Sequence, residues 1–325
     1  GWTGVSRLFG LIRDMATTNL LGASVFHDIF VVTLKIPNLF RRFFAEGAFN
    51  QAFIPVYSDY QAGNSDQETK DFINALAGSF LTILFLFTVV VLLITPVFIL
   101  IFAPGFYFDD YKREISVDIL RIMFPYLALI SLVAFAGGIQ NTHNRFSLPA
   151  FTPLIFNACL VFAALIIAPK YDLPIYVLAW GVLTAGFAQL VIQLFPLKQI
   201  DRLPVPKFNL NNQGTKKVFK LIIPAILAGG IMQINLLIDT IFASLLQTGS
   251  PTWLYVSDRL IQFPMGIFAI AIGTVLLPTL SKIDISKDMN EFIDIVKKGQ
   301  RFVLFIGIPS FIAVSYTHLT LPTSV

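Results

Sequence analysis

The sequence predicts an all-α polytopic membrane protein, and three observations carry that prediction. Apolar residues make up 56% of the 325 positions and charged residues only 13%, with 33 phenylalanines, where a soluble domain carries about 25% charged residues. Apolar runs of about 20 residues or more, long enough to cross a bilayer as helices, recur along the chain. The charges inside those runs are few and belong to residue types that face something polar rather than lipid. About eight complete transmembrane helices and a truncated ninth are expected.

Taken in order, the first span covers about 5–21 and holds Arg7, Arg13 and Asp14. It is expected to be cut, because the chain opens at Gly1 rather than Met, already inside an apolar stretch. The second covers 28–60, and the polar SDYQAGNSDQETKD follows it. The third, 72–102, carries no charge and ends at Pro104 and Gly105. The fourth, 117–139, has Asp118 and Arg121 near its start; NTHNRF then makes a turn. The fifth (148–168) and sixth (175–195) are joined by PKYDLP, and a basic segment follows from Lys198 to Lys220. The seventh, 221–246, contains Asn235 and Asp239. The eighth, 253–280, contains Asp258, Arg259, Pro264 and Pro278, and the ninth begins near Phe302. Prolines and glycines inside these spans imply kinks, which neighbouring helices or water make tolerable.

Lysines and arginines set the orientation. Connections after even-numbered spans hold thirteen, among them Lys70, Arg145, Lys198, Arg202, Lys207 and Lys216, against Lys112, Arg113 and Lys170 on the other side. The first set, and with it the amino terminus, is expected in the cytoplasm. A polybasic loop facing the membrane explains the basic balance without nucleic acid as a partner. The expected divisions are a first lobe (1–200), a basic cytoplasmic loop (201–220), the start of a second lobe (221–314) and a tail (315–325). The tail, SYTHLTLPTSV, resembles a translated sequencing adaptor and is expected to be non-native. FIPVYS at 53–58 faintly echoes LLPTLS at 276–281, the kind of internal repeat that secondary transporters use.

The second span carries the most chemistry. KIPNLFRRFFAEGAFNQAFIPV places Lys35, Arg41 and Arg42 within eight residues, and a cation at the bilayer centre costs about 2.5–3.5 kcal/mol on insertion scales. Lys35 and Arg42, seven apart, lie nearly one above the other on a helix. Arg41 points elsewhere, and Asn38 lies one turn below both arginines. Arg42 and Glu46 have the spacing of an intrahelical pair. The charge of Lys35 and Arg41 then has to be met by another helix, by water or by an anionic ligand. Across all spans, seven cations (Arg7, Arg13, Lys35, Arg41, Arg42, Arg121, Arg259) meet six acids (Asp14, Asp28, Glu46, Asp118, Asp239, Asp258). Pairs such as Arg259 with Asp258 and Arg121 with Asp118 use some of them. An excess of arginine from spans one, two and eight points to a cavity for an anionic head group, phosphate or diphosphate, because the guanidinium fork donates two parallel bonds to such oxygens.

Rival chemistries lack their residues. The sequence contains no HExxH, no phosphate-cradling glycine loop and no GxSxG turn, so an enzyme is not expected. Asp109–Asp110, the nearest thing to an acidic metal motif, reads as a solvated loop tip. His27, His143 and His318 have no ligand spacing, and Cys159, the only cysteine, sits in an apolar run as a small hydrophobe.

SRLFGLIRD (6–14), the stretch around Asp28, KIPNLFRRFFAEGAFNQAFIPV, FPYLALISL, NTHNRFSLPAFTP, PAILAGGIMQINLLIDTIFAS and SDRLIQFPMGIFAIAIGTVLLPTLSK together resemble the MurJ (MviN) family of lipid II flippases. The likeness runs in order from Ser6 to about Val314. It implies a fold of the MOP exporter superfamily, related to MATE transporters, with fourteen helices in two lobes. It also implies a bacterial cytoplasmic (inner) membrane protein, expected to be a monomer among membrane lipids. Its partner would be lipid II, an undecaprenyl-diphosphate-linked precursor moved outward by alternating access. By resemblance, Arg7, Arg13 and Arg259 match the cavity arginines and Arg41 the arginine of the RRxFAEGAF motif. Asp28 matches the family's aspartate, and Ser6 and Asn38 match further cavity positions. Where many members have an acid shortly after the helix-eight arginine, this chain has Gln262. No cofactor is implied. Coupling to sodium, protons or the membrane potential is, with Asp239 as a candidate cation ligand.

Two other transporters remain as alternatives. A flippase for another polyprenyl-diphosphate-linked glycan predicts a similar cationic cavity. A MATE-like cation-coupled exporter wants an acidic, aromatic one, which the arginines disfavour.

Overall fold

The computed structural model describes residues 2–264 and 289–320, and within them every regular element is helical. Helix α1 (Trp2–Leu21) stops at Gly22, whose φ of 63° is a left-handed position that glycine takes without strain. Ser24 caps α2 (Val25–Arg41) by accepting the His27 N–H. The sequence predicts one helix through 28–60; the structure breaks it. A π turn, Arg42–Glu46, separates α2 from α3 (Ala48–Gly63). The turn closes when the Gly47 N–H donates to the Arg42 carbonyl at 3.1 Å, one residue further than an α-helix reaches. A Cβ on Gly47 would come within 3.2 Å of that same carbonyl, so the absence of a side chain suits the turn.

Ser65 and Glu68 form a reciprocal capping box at the start of α4 (Asp66–Leu93). The predicted third span is interrupted at Ile94, where Pro96 opens α5 (Thr95–Phe102), because a proline has no N–H to continue the ladder. A short α6 (Pro104–Tyr107) follows. Asp109 accepts the Lys112 N–H and so caps α7 (Asp110–Met123); the acidic pair taken as a loop tip begins a helix. Pro125 likewise divides the predicted fourth span into α7 and α8 (Tyr126–Thr142). Then come α9 (Ser147–Phe162), continued by tighter and wider turns to Lys170, and α10 (Pro174–Gln199). After an irregular stretch, Asn212 caps α11 (Gln213–Leu245), and α12 (Ser250–Pro264) follows. The last described helix is α13 (Met289–Thr320).

Among the described residues, four stretches are apolar and long enough to cross a membrane: Asp66–Leu93, Asp110–Thr142, Ser147–Lys170 and Pro174–Gln199. On α10, Trp180, Phe187, Val191 and Leu194 repeat at helical spacing and are all exposed. A stripe of this kind on a membrane-length helix is a lipid-facing surface. The second half of the predicted eighth span, and LLPTLS within it, lie outside the described residues, as do the side chains of Glu46 and Gln262.

The chain divides into two compact units, Gly1–Tyr255 and Val256–Val325. In the first, α1 packs on α9, α10 on α8 and α9, α2 on α7, and α11 along α3. Two aromatic-rich cores hold it together. In one, Phe40 gathers Phe87, Phe98, Phe102 and Phe124 around it at centroid distances of 5.2–6.4 Å. In the other, Phe49 stacks on Phe80 at 4.6 Å and Phe53 on Tyr57 at 5.3 Å, against Leu197 and Val218. Such pairs add about 0.5–1.5 kcal/mol each beyond area burial. In the second unit, Asp294 and Lys298 form an i,i+4 ion pair at 2.7 Å on α13.

Candidate functional site

Arg13 is buried within the fold. It faces α9 and α12 from the middle of α1 and is 8% exposed, as is Asp14. Its Nε and Nη2 both donate to Asp14 Oδ1, at 2.9 and 2.5 Å. Nη1 donates to Asn157 Oδ1 at 3.0 Å, Nη2 reaches the Tyr255 hydroxyl at 3.3 Å, and the guanidinium lies 5.7 Å from the Phe156 ring centroid. Tyr255 in turn donates to Asp14 Oδ1 at 2.8 Å. The expectation that Arg13 belongs to an excess of cations is therefore corrected for this conformation. The next residue in the chain supplies its counter-charge, and burial keeps the two together.

Asn157 does more than hold Arg13. Its Nδ2 donates to the Ser6 carbonyl at 3.1 Å, so one amide from α9 joins two predicted site positions of α1. Arg7, next to Ser6, is half-buried.

Asp28 is 2% exposed and acts on α12. Oδ2 accepts the Gly249 N–H at 2.6 Å, while Oδ1 accepts the Thr252 N–H at 3.0 Å and the Thr252 hydroxyl at 2.6 Å. An acid from α2 thus caps the N-terminus of α12 across the fold, where unsatisfied N–H groups and the helix dipole favour a negative charge. Gly249 permits the approach with φ of 98°, a conformation that a side chain would strain. Three residues after Thr252, Tyr255 meets Arg13 and Asp14. The first turn and a half of α12 is consequently gripped at two points, by α2 and by α1.

The cations of α2 and the π turn face α11. Lys35 Nζ donates to Thr240 Oγ1 at 3.4 Å, and Arg42 Nη1 to Gln233 Oε1 at 2.8 Å. Seven residues separate the cations and seven separate their partners, in opposite order. The stacking of Lys35 over Arg42 that helical spacing predicts survives the π turn, and α11 runs antiparallel beside it. Asn38 and Arg41 are half-buried on the same stretch. Asp239, beside Thr240, is exposed. Arg259 is half-buried in α12, one turn beyond Tyr255. Asp118 accepts the Tyr176 hydroxyl at 3.3 Å.

Sequence reasoning missed Asn157, Gln233, Thr252 and Tyr255. Asn157 and Gln233 had a signal: a lone amide in an apolar membrane run finds a partner on a neighbouring helix. Thr252 and Tyr255 had none, since nothing local says that α12 meets α1 and α2.

The fold and these contacts define an all-helical polytopic membrane protein that buries arginine, aspartate and amide side chains between its helices. A family model described as lipid II flippase MurJ matches residues 17–317. A probable lipid II flippase MurJ of Haemophilus influenzae is 37% identical over 96% of this chain and 64% of its own length. That of Buchnera aphidicola subsp. Acyrthosiphon pisum is 40% identical over 94% of this chain and 60% of its own. The lipid II flippase MurJ of Burkholderia cenocepacia is 36% identical over 97% and 62%. The chain belongs to the MurJ family. It spans between 60% and 64% of the length of these relatives.

Proposed function

We propose that the protein is a transporter, not an enzyme, that moves lipid II from the inner to the outer leaflet of a bacterial cytoplasmic membrane, with its amino terminus in the cytoplasm. The observation that carries this reading is the double grip on α12. A helix held by one acid at its N-terminus and by an arginine–carboxylate–tyrosine cluster a turn later is a part that can be released and recaptured. Each grip is made of a few polar contacts rather than a continuous apolar interface. Asp14 then serves as the resident anion of Arg13. A diphosphate, with more charge and more acceptor oxygens than one carboxylate, competes for the same guanidinium fork. Exchange of carboxylate for diphosphate loosens Tyr255 and with it α12, which ties head-group capture to helix movement. Arg7, Arg41 and Arg259 supply further charge, Ser6 and Asn38 polar contacts, and the polyprenyl tail stays in lipid.

Coupling to a cation or to the membrane potential would drive the cycle, with Asp239 offering one carboxylate. The protein works as a monomer. Arg7→Ala and Arg41→Ala in the full-length protein, each tested in a strain depleted of its own flippase, should abolish growth while membrane insertion stays normal. Normal growth with both variants overturns the assignment. Rescue of a strain lacking a different polyprenyl-linked glycan flippase, but not of this one, would favour that other substrate.

A further inference from the structure

The stretch between α10 and α11 is not an open loop. Arg202 pairs with Asp66 and Lys70 with Asp201 at the start of α4. The chain then runs along α4. The Val205 N–H donates to Asn74 Oδ1 at 2.7 Å, the Lys207 N–H to the Asn74 carbonyl at 2.9 Å, and the Asn209 N–H to Ser79 Oγ at 3.3 Å. Gly78 makes this possible: a Cβ there would lie 2.3 Å from the Lys207 carbonyl carbon. From Asp66 to Ser79 the track covers about 20 Å at the α-helical rise, and its far end lies beside the apolar part of α4 that begins at Phe72. The clamp uses backbone groups and turns side chains outward. Val205 is 60% and Phe208 61% exposed, Leu203 and Leu210 are exposed too, and Lys207 lies between them.

We propose that residues 203–210 form an interfacial anchor. Val205, Phe208 and Leu210 enter the boundary between head groups and acyl chains, and Lys207 meets the phosphates of anionic lipid. Two observations name this occupant. The segment ends beside the membrane-length helix α4, where Leu81, Phe85 and Leu86 are exposed within two turns of Ser79. Its basic neighbours, Lys198, Lys216 and Lys220, are exposed as well, which complements an anionic surface. Apolar side chains flanked by lysines partition to that depth. By fixing the stretch that leads into α11, the anchor holds one end of that helix at the membrane surface, whatever substrate the protein carries.

The test places a nitroxide at Phe208→Cys, in a Cys159→Ser background, in the chain reconstituted into phosphatidylcholine vesicles with increasing phosphatidylglycerol. Asn64→Cys, in the exposed α3–α4 turn, is the aqueous reference. The anchor predicts a label at 208 that relaxes more with oxygen than with a water-soluble nickel chelate, the reverse of position 64. Lys207→Gln should raise the phosphatidylglycerol needed for half of that change by about fivefold, the effect of one basic residue near an anionic surface. Nickel accessibility at 208 equal to that at 64 overturns the proposal. So does a label shielded from both reagents, which would mean a protein cover, and so does a Lys207→Gln response identical to that of the parent.

Discussion

Replacing Arg13 by alanine separates what its charge does for the fold from what it does for a ligand. The guanidinium sends two bonds to Asp14 Oδ1, at 2.5 and 2.9 Å, and one to Asn157 at 3.0 Å, in a place where both ionised groups are only 8% exposed. Breaking such a pair leaves a buried carboxylate without its counter-charge, at a cost of about 3–5 kcal/mol. Adding Asp14→Asn removes the stranded charge and keeps a polar group for Tyr255. The double variant should therefore recover roughly 0.5–3 kcal/mol through the coupling of neighbouring sites. The lost Asn157 bond, about 1 kcal/mol, stays lost. Denaturant titration in detergent micelles, followed by intrinsic fluorescence, measures all four species of the cycle. A single variant as stable as the parent, or a double variant no better than Arg13→Ala, would refute the reasoning.

Three further outcomes follow from other contacts in the fold. Asp28→Asn keeps one acceptor oxygen of the two that hold α12, and should weaken the cap by about 1–2 kcal/mol; amide hydrogen exchange should accelerate at Gly249 and Thr252 while α4 is unchanged. Cysteines at Lys35 and Thr240 should be bridged by a short bismaleimide, as should a pair at Arg42 and Gln233, whereas Lys35 with Gln233 should not. The bismaleimide is needed because tip-to-tip contacts of long side chains leave the backbones too far apart for a disulfide. Equal yields from all three pairs would disprove the antiparallel register. His143 meets the Tyr57 hydroxyl at 3.1 Å and Gln61 at 3.0 Å. Burial first, then the nearby Arg202 and Arg145, hold its imidazole below the usual value of 6.5. The folded state therefore binds fewer protons than the unfolded one, so stability is full above pH ~6.5 and declines as pH falls below it. His143→Gln should flatten that decline, and an unchanged slope would contradict it.

Much of the fold was legible because bilayer solubility leaves so few options. Apolar runs place α9 and α10 within a few residues of their observed bounds, whereas α4 begins six residues before the predicted third span, where the Ser65–Glu68 capping box starts it inside the stretch read as a polar loop. The breaks at Pro96 and Pro125 were readable only as kinks, since whether a proline bends a helix or ends it depends on what packs beside it. The π turn at Arg42–Glu46 left no local trace except Gly47. At the site, the type of residue was readable and its partner was not. Arg13 and Asp14 are adjacent in sequence, yet their pairing depends on Asn157 and Tyr255, which lie 144 and 242 positions from Arg13. Asp28 shows the same limit. Its burial announces a partner, but nothing near it in sequence says that the partner is the beginning of a helix more than two hundred residues on.

The most direct measurement follows fluorescent lipid II between leaflets of vesicles containing the full-length protein, either as the parent or with Arg13→Ala and Asp14→Asn together. The parent should equilibrate the lipid across the bilayer, while the folded double variant leaves it in the leaflet where it was placed. Translocation by the double variant at the parental rate would show that Arg13 only holds Asp14, and that no diphosphate passes through its grasp.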